Sequence, residues 1–218
     1  MPSDIEYTVR RSARAQRIRV RVDAHAGVEV VLPARARERE AAAAVAELRP
    51  WIERRLREAE AVRARLAERA GTVPYLGAVL RLRGEPGRTR VHRRGDELLV
   101  PVEEPKPALE RWYRRAARAE VLPRLDSATA ALGRPYTALT IRNQRTRWGS
   151  CSTSGAMTFN WRLLLAPEPM LDYVVWHEAC HLIHMDHSRR FWALLECHVP
   201  GYREPRRWLR ANGTTLVL

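Results

Sequence analysis

The stretch WHEACHLIHMDHSRRFW, residues 176–192, places four histidines within eleven positions and a glutamate beside the first. Its centre is His177-Glu178-Ala179-Cys180-His181, an H-E-x-x-H spacing. On an α-helix, residues four apart lie on one face about one turn apart, so both imidazoles can reach a single ion. Glu178 sits about 100° round the helix from His177. It therefore falls outside the shared ligand direction, where it can act as a general base toward a coordinated water. This pattern demands a rigid helix and a following segment that returns a third ligand.

The flanking residues predict that helix. PEPMLDYVVWHEACHLIHM starts at Pro167, has no internal breaker after Pro169, and is apolar almost all round. A helix apolar on every side belongs in a core, and ionisable groups there are costly unless paired or metal-bound. His187, six residues beyond His181, is the expected third ligand, reached through a turn. Asp186 and Ser188 are good caps for ending one helix and starting the next, SRRFWALLECH. Three histidines and a water make a tetrahedral catalytic zinc site with one position open, one Zn2+ per chain. His184 is the alternative third ligand if the helix continues that far, and Glu196 or Glu204 would serve if the ligand is a distant carboxylate. His25, His92 and His198 stand isolated.

Composition bounds what surrounds this site. The formal charge is +14, with 39 basic against 25 acidic side chains, and Lys106 is the only lysine. Such a surface makes nucleic acid a possible partner beside a peptide or protein substrate. No acid occurs between Asp126 and Glu168, yet Arg134, Arg142, Arg145, Arg147 and Arg162 lie there, just before the histidine cluster. Packed against it, they would set up a positive field. Cys151, Cys180 and Cys197 are too few and too scattered for a disulfide framework. MPSDIEYTVRR lacks the apolar run of an export signal, and no segment reaches the ~20 apolar residues of a membrane helix. A cytoplasmic protein with no membrane partner is expected.

The chain reads as α+β. Residues 5–33 alternate as strands, with Ile18, Val20 and Val22 on one face, Arg17, Arg19 and Arg21 on the other, and a hairpin loop at DAHAG. Residues 34–70 are helical and divided near Pro50. Strands and turns return from YLGAVLRLRG to LLVPV, and VEEPKPA, residues 102–108, reads as a linker. A helix follows, then strands over 139–165, then the histidine helix. The expected organisation is a β-rich N-terminal region with a helical insert, 1–105, and a catalytic domain with a small sheet on the active-site helix, 106–218.

RTRWGSCSTSGAMTFNWRLLLAP followed by LDYVVWHEACHLIHMDHSRRFW resembles the YgjP-like metallopeptidase family, related to SprT-like zinc proteases. RRSARAQRIRVRVDAHAGVEVVLP and the later RPWI are similar to that family's leading β-rich region. The resemblance implies a minimal zincin-like domain, His177, His181 and His187 as zinc ligands, and Glu178 as the catalytic base. Asp186 departs from the asparagine usual before the third histidine. By analogy with zincin-type proteases, the strand within TFNWRLLLA is the expected edge strand for an extended peptide. Trp148, Arg147 and Asn160 are candidates to shape that region. Tyr173, His184 and Arg147 are candidates to stabilise an oxyanion.

Overall fold

The computed structural model describes residues 5–23, 27–144 and 146–218. The DAHAG turn, His25 and Arg145 fall wholly or partly outside them. The chain divides into two compact units, Met1–Glu68 and Arg69–Leu218.

The first unit is a three-stranded sheet with two helices. β1 (Tyr7–Ser12) pairs parallel with β3 (Gly27–Pro33), and β2 (Arg19–Asp23) pairs antiparallel with β3 on its other side. The expected alternation holds. Ile18, Val20 and Val22 are half-buried and pack toward Val28, Val30 and Leu32, while Arg17, Arg19 and Arg21 are exposed. Glu29, central on β3, is bracketed by Arg10 at 2.8 Å and Arg21 at 3.8 Å, so part of this arginine row is internally neutralised. α1 (Arg39–Glu47) and α2 (Arg49–Glu68) follow, with Pro50 in the first turn of α2, where a missing N–H costs nothing.

The second unit holds everything else, and its boundary falls earlier than 105/106. β4 (Thr72–Tyr75), β5 (Ala78–Glu85), β6 (His92–Arg94) and β7 (Glu97–Pro101) form a sheet in the order β4-β5-β7-β6. Val73, Leu80, Leu98 and Val100 from this sheet share one core with Tyr113, Leu125, Phe159, Leu171 and Val174. The Tyr113 hydroxyl donates to the carbonyl of Pro74 from within that core. The expected linker at 102–108 is largely helix: α3 (Pro105–Leu132) begins at Pro105, and Ala108 and Leu109 are already buried. Proline in the first helical turn suits a helix start, which is why a Pro-rich stretch read as weak structure.

A second sheet carries the region before the histidine helix. β8 (Ala138–Arg142), β9 (Gly149–Cys151) and β10 (Ala156–Asn160) lie in the order β8-β10-β9, with β10 parallel to β8 and antiparallel to β9. The strand within TFNWRLLLA is thus the central one, and β8 and β9 are the edges, β9 the one beside α4. Met157, Phe159 and Asn160 are buried accordingly. Residues Trp161–Leu165 form a 3-10 turn, started by the Asn160 side chain accepting from the Arg162 N–H at 3.1 Å.

α4 (Glu168–Cys180) then runs through the core with Met170, Leu171, Tyr173, Val174, Val175, Ala179 and Cys180 buried. Arg124 of α3 pins its first turn, with Nε 2.9 Å from Asp172, Nη1 2.6 Å from Glu120 and Nη2 bonded to Glu168. α5 (Arg189–His198) and α6 (Arg203–Asn212) close the unit.

Candidate metal centre

α4 ends at Cys180, one residue before the second histidine of the motif. His181 still holds helical backbone angles, φ −66° and ψ −16°, and its N–H bonds to Glu178 rather than one residue further back. The last turn tightens, yet the i, i+4 relation between His177 and His181 survives. Their rings stand 5.0 Å apart, edge to face.

His187 returns through the turn after α4. Asp186 Oδ1 accepts from the Ser188 N–H at 3.4 Å, a weak local bond across His187. An aspartate oxygen fills this acceptor role without the amide of an asparagine. Ser188 takes the N-terminal position of α5 with extended backbone, but its side chain makes no capping bond. The result brings one nitrogen each of His177, His181 and His187 within 4.8 Å of one another. His177 and His187 face each other through Nε2 at 3.1 Å. Two ring nitrogens aimed at each other so closely must share either a proton or a cation.

Phe191, fully buried on α5, packs against all three rings at centroid distances of 4.6–4.9 Å. Tyr173 and Trp192 flank His177. His177 Nδ1 is buried and has no hydrogen-bond partner among the described residues, so packing orients that ring. Burial first, then the neighbouring His181 and His187 and the charge of Arg206, push the His177 pKa down to about 3. Burial likewise lowers His181. Imidazoles held neutral are the form that ligates a metal.

His184, considered as a ligand, takes no part in the cluster with its ring. Its carbonyl accepts from His181 Nδ1 at 2.9 Å. Glu196 accepts from the Gly201 N–H at 3.2 Å, and Glu204 is exposed in the first turn of α6. Among the described residues neither belongs to the cluster. His198 stacks on Trp176, and His92 lies exposed on β6. Cys180 is fully buried with its thiol pushed up to about 12, and the Cys151 thiol is pushed up to about 11, so both favour the thiol over the thiolate a metal needs.

Glu178 is 6% exposed and points at β9. The Cys151 N–H donates to its carboxylate, and Arg147 lies near enough to favour its charge. Burial outweighs both and pushes its pKa up to about 8. A Cβ on Gly149 would stand 2.6 Å from Glu178 Cγ and 2.7 Å from Oε1. Only a glycine there lets β9 lie flat against this carboxylate. The spacing rules for metal motifs gave no hint of Gly149, although W-G-S-C is the quoted block that contains it.

Of the acid-free arginines, Arg147 is exposed and acts on Glu178 through its charge alone, Arg142 is exposed on β8, and Arg134 lines a separate surface pocket. Arg206 of α6, stacked 4.6 Å over Trp192, adds positive charge that the sequence reading missed.

Three imidazoles that converge on one point, beside a carboxylate that is not one of them, suit a divalent transition metal. The sequence profile of the YgjP-like metallopeptidase domain matches residues 16–212. The chain belongs to the YgjP-like family. The YgjP-like domain therefore spans both compact units, and a metal cofactor accords with the three-histidine cluster. The solved structure of the metallopeptidase zymogen of Pyrococcus abyssi abylysin is similar at 26% identity, covering 42% of this chain and 93% of that one, with a TM-score of 0.38. No curated protein matches. No helix among the described residues is long and apolar enough to cross a membrane.

Proposed function

We propose that this YgjP-like protein is a zinc-dependent peptidase in which His177, His181 and His187 hold one zinc ion and Glu178 is the general base. The observation that carries the reading is the meeting of three imidazole nitrogens within 4.8 Å beside a buried carboxylate that is not among them. A site built only to hold a fold has no use for such a carboxylate. When bound, zinc would lower the pKa of a coordinated water and polarise the scissile carbonyl.

The chain's own residues do the rest. Glu178 takes a proton from the attacking water and returns it to the leaving nitrogen. The Cys151 N–H holds the carboxylate, and Gly149 leaves room for it. Tyr173, buried with its phenol pushed up to about 12, stays a hydroxyl donor across the working pH range. β9, at the sheet edge beside α4, offers an unpaired backbone to an extended peptide or protein substrate. Three free thiols suit a reducing, cytoplasmic setting.

Metal analysis of purified protein tests the reading. About one zinc per chain is expected, lost in His181→Ala and kept in Glu178→Gln, with peptide cleavage abolished in both. Full metal retention in the His177, His181, His187 triple alanine variant sinks the ligand assignment. Cleavage that survives Glu178→Gln sinks the mechanism.

A further inference from the structure

A cavity of about 390 Å³ opens where the loop before β9 meets Asn160, α6 and the residues after it. Arg147, Arg162 and Arg210 line it, and no aspartate or glutamate does among the described residues. Neither Arg147 nor Arg210 forms a salt bridge among the described residues, and the carboxylate whose charge Arg147 favours, Glu178, lies outside the cavity wall. Trp148, Leu209 and Leu216 supply apolar wall.

The basic wall is built rather than incidental. Asn160 is 2% exposed, and its Nδ2 donates to the carbonyls of Gln144 at 2.7 Å and Arg147 at 3.1 Å. Its Oδ1 accepts from the Arg162 N–H at 3.1 Å. One buried amide thus fixes the backbone at two of the three arginines. Gly213 closes the other side, since a Cβ there would stand 2.7 Å from Trp148 Cζ2.

The cavity also adjoins the metal centre. Arg147 precedes Gly149 by two residues, and two residues of extended chain span about 7 Å. Gly149 is the residue packed on Glu178, and Arg147 is the charge that Glu178 senses. A peptide lying along β9 with its scissile bond near Glu178 would bring a neighbouring residue to this cavity.

We propose that the cavity is a specificity subsite that binds a substrate carboxylate, supplied by an acidic side chain or a free C-terminus, close to the scissile bond. The proposal rests on the peptidase reading. Guanidinium groups match a carboxylate in two-point geometry, and Arg147 and Arg210, both exposed, are open to a ligand. A small cavity with three arginines fits one carboxylate. Nucleic acid would instead require basic contacts spread along a backbone.

The test reads binding without turnover. Labelled hexapeptides carrying a central glutamate or glutamine, each with a free or amidated C-terminus, are titrated by anisotropy against the Glu178→Gln protein loaded with zinc. At least one carboxylate peptide should bind about tenfold tighter than its neutral counterpart. The glutamate and free-terminus arms identify which carboxylate is read. Arg147→Gln and Arg210→Gln should erase the preference, and Arg210→Gln should leave affinity for the amidated glutamine peptide unchanged. Arg210→Lys should restore part of it, which separates lost charge from lost folding. Equal binding of all four peptides, or a preference that survives the double glutamine variant, overturns the proposal. So does an oligonucleotide that binds more tightly than every peptide and is lost in the same variants. A carboxylate preference in a protein that cleaves nothing supports the subsite and counts against the peptidase reading alone.

Discussion

His181 Nδ1 lies 2.9 Å from the carbonyl oxygen of His184. A carbonyl only accepts, so Nδ1 carries the proton and Nε2 keeps its lone pair for the cluster. The hydrogen bond fixes tautomer and ring direction together, the usual arrangement behind a metal-ligating histidine. His184 therefore serves the site through its backbone, because α4 ends before its side chain could turn onto the ligand face.

His184→Ala keeps that carbonyl and should leave metal affinity within about threefold of the parent, well short of the 10–100-fold typical when a ligand's supporting bond is lost. His187→Ala should weaken binding by about 100-fold or more, since it removes the proposed third ligand outright. A competition titration with a chromophoric chelator measures both. A His184→Ala loss equal to that of His187→Ala would contradict the assignment.

Gly149→Ala should abolish most peptide cleavage while metal content stays at the parental level. The added methyl would stand 2.6–2.9 Å from three Glu178 atoms, so the carboxylate or β9 must move. A shift near 1 Å in a catalytic group costs about 100-fold in rate. Steady-state kinetics should show the loss in kcat, and metal analysis of the same preparation separates it from a damaged site.

The three-histidine cluster was legible because it is local: i, i+4 spacing and a short turn bring His177, His181 and His187 together almost regardless of the surrounding fold. The apolar circumference of α4 likewise announced its burial. What sequence patterning could not supply were relations between distant segments. Nothing local distinguishes β9 from β10 as the edge strand, and three residues, Gly149–Cys151, are too few for a periodic signal. Arg206 reaches the site only because α6 packs back toward α4. The compact units divide between Glu68 and Arg69 for a similar reason, since strands β4–β7 share a core with α3, which no pattern within either segment encodes.

Asn160→Ala removes the amide that satisfies two carbonyls and one N–H inside the second unit. Leaving such buried groups unpaired should lower unfolding stability by about 2–4 kcal/mol. Urea denaturation at fixed metal saturation measures this. Asn160→Asp keeps the acceptor for Arg162 but turns a second oxygen on the two carbonyls, and should destabilise at least as much as alanine.

With the raised Glu178 carboxyl removed by Glu178→Gln, the metal-free protein should lose stability as the pH drops from about 6.5 toward 3. Burial, the other two imidazoles and Arg206 hold the His177 pKa at about 3, below its ordinary 6.5, so the fold favours the neutral ring. A group with a depressed folded-state pKa contributes stability that is present above the unfolded value and is lost as pH falls through the folded one. Below pH 6.5 the unfolded chain takes up the proton that the folded chain resists. His181, lowered in the same direction, adds to the slope. Thermal melts of chelator-treated Glu178→Gln protein, which lacks the opposing titration of the raised Glu178 carboxyl, should show Tm falling from pH 6.5 to 4. His177→Gln should flatten the decline, because glutamine cannot bind the proton in either state. An unchanged slope in that variant would place the acid sensitivity elsewhere in the chain.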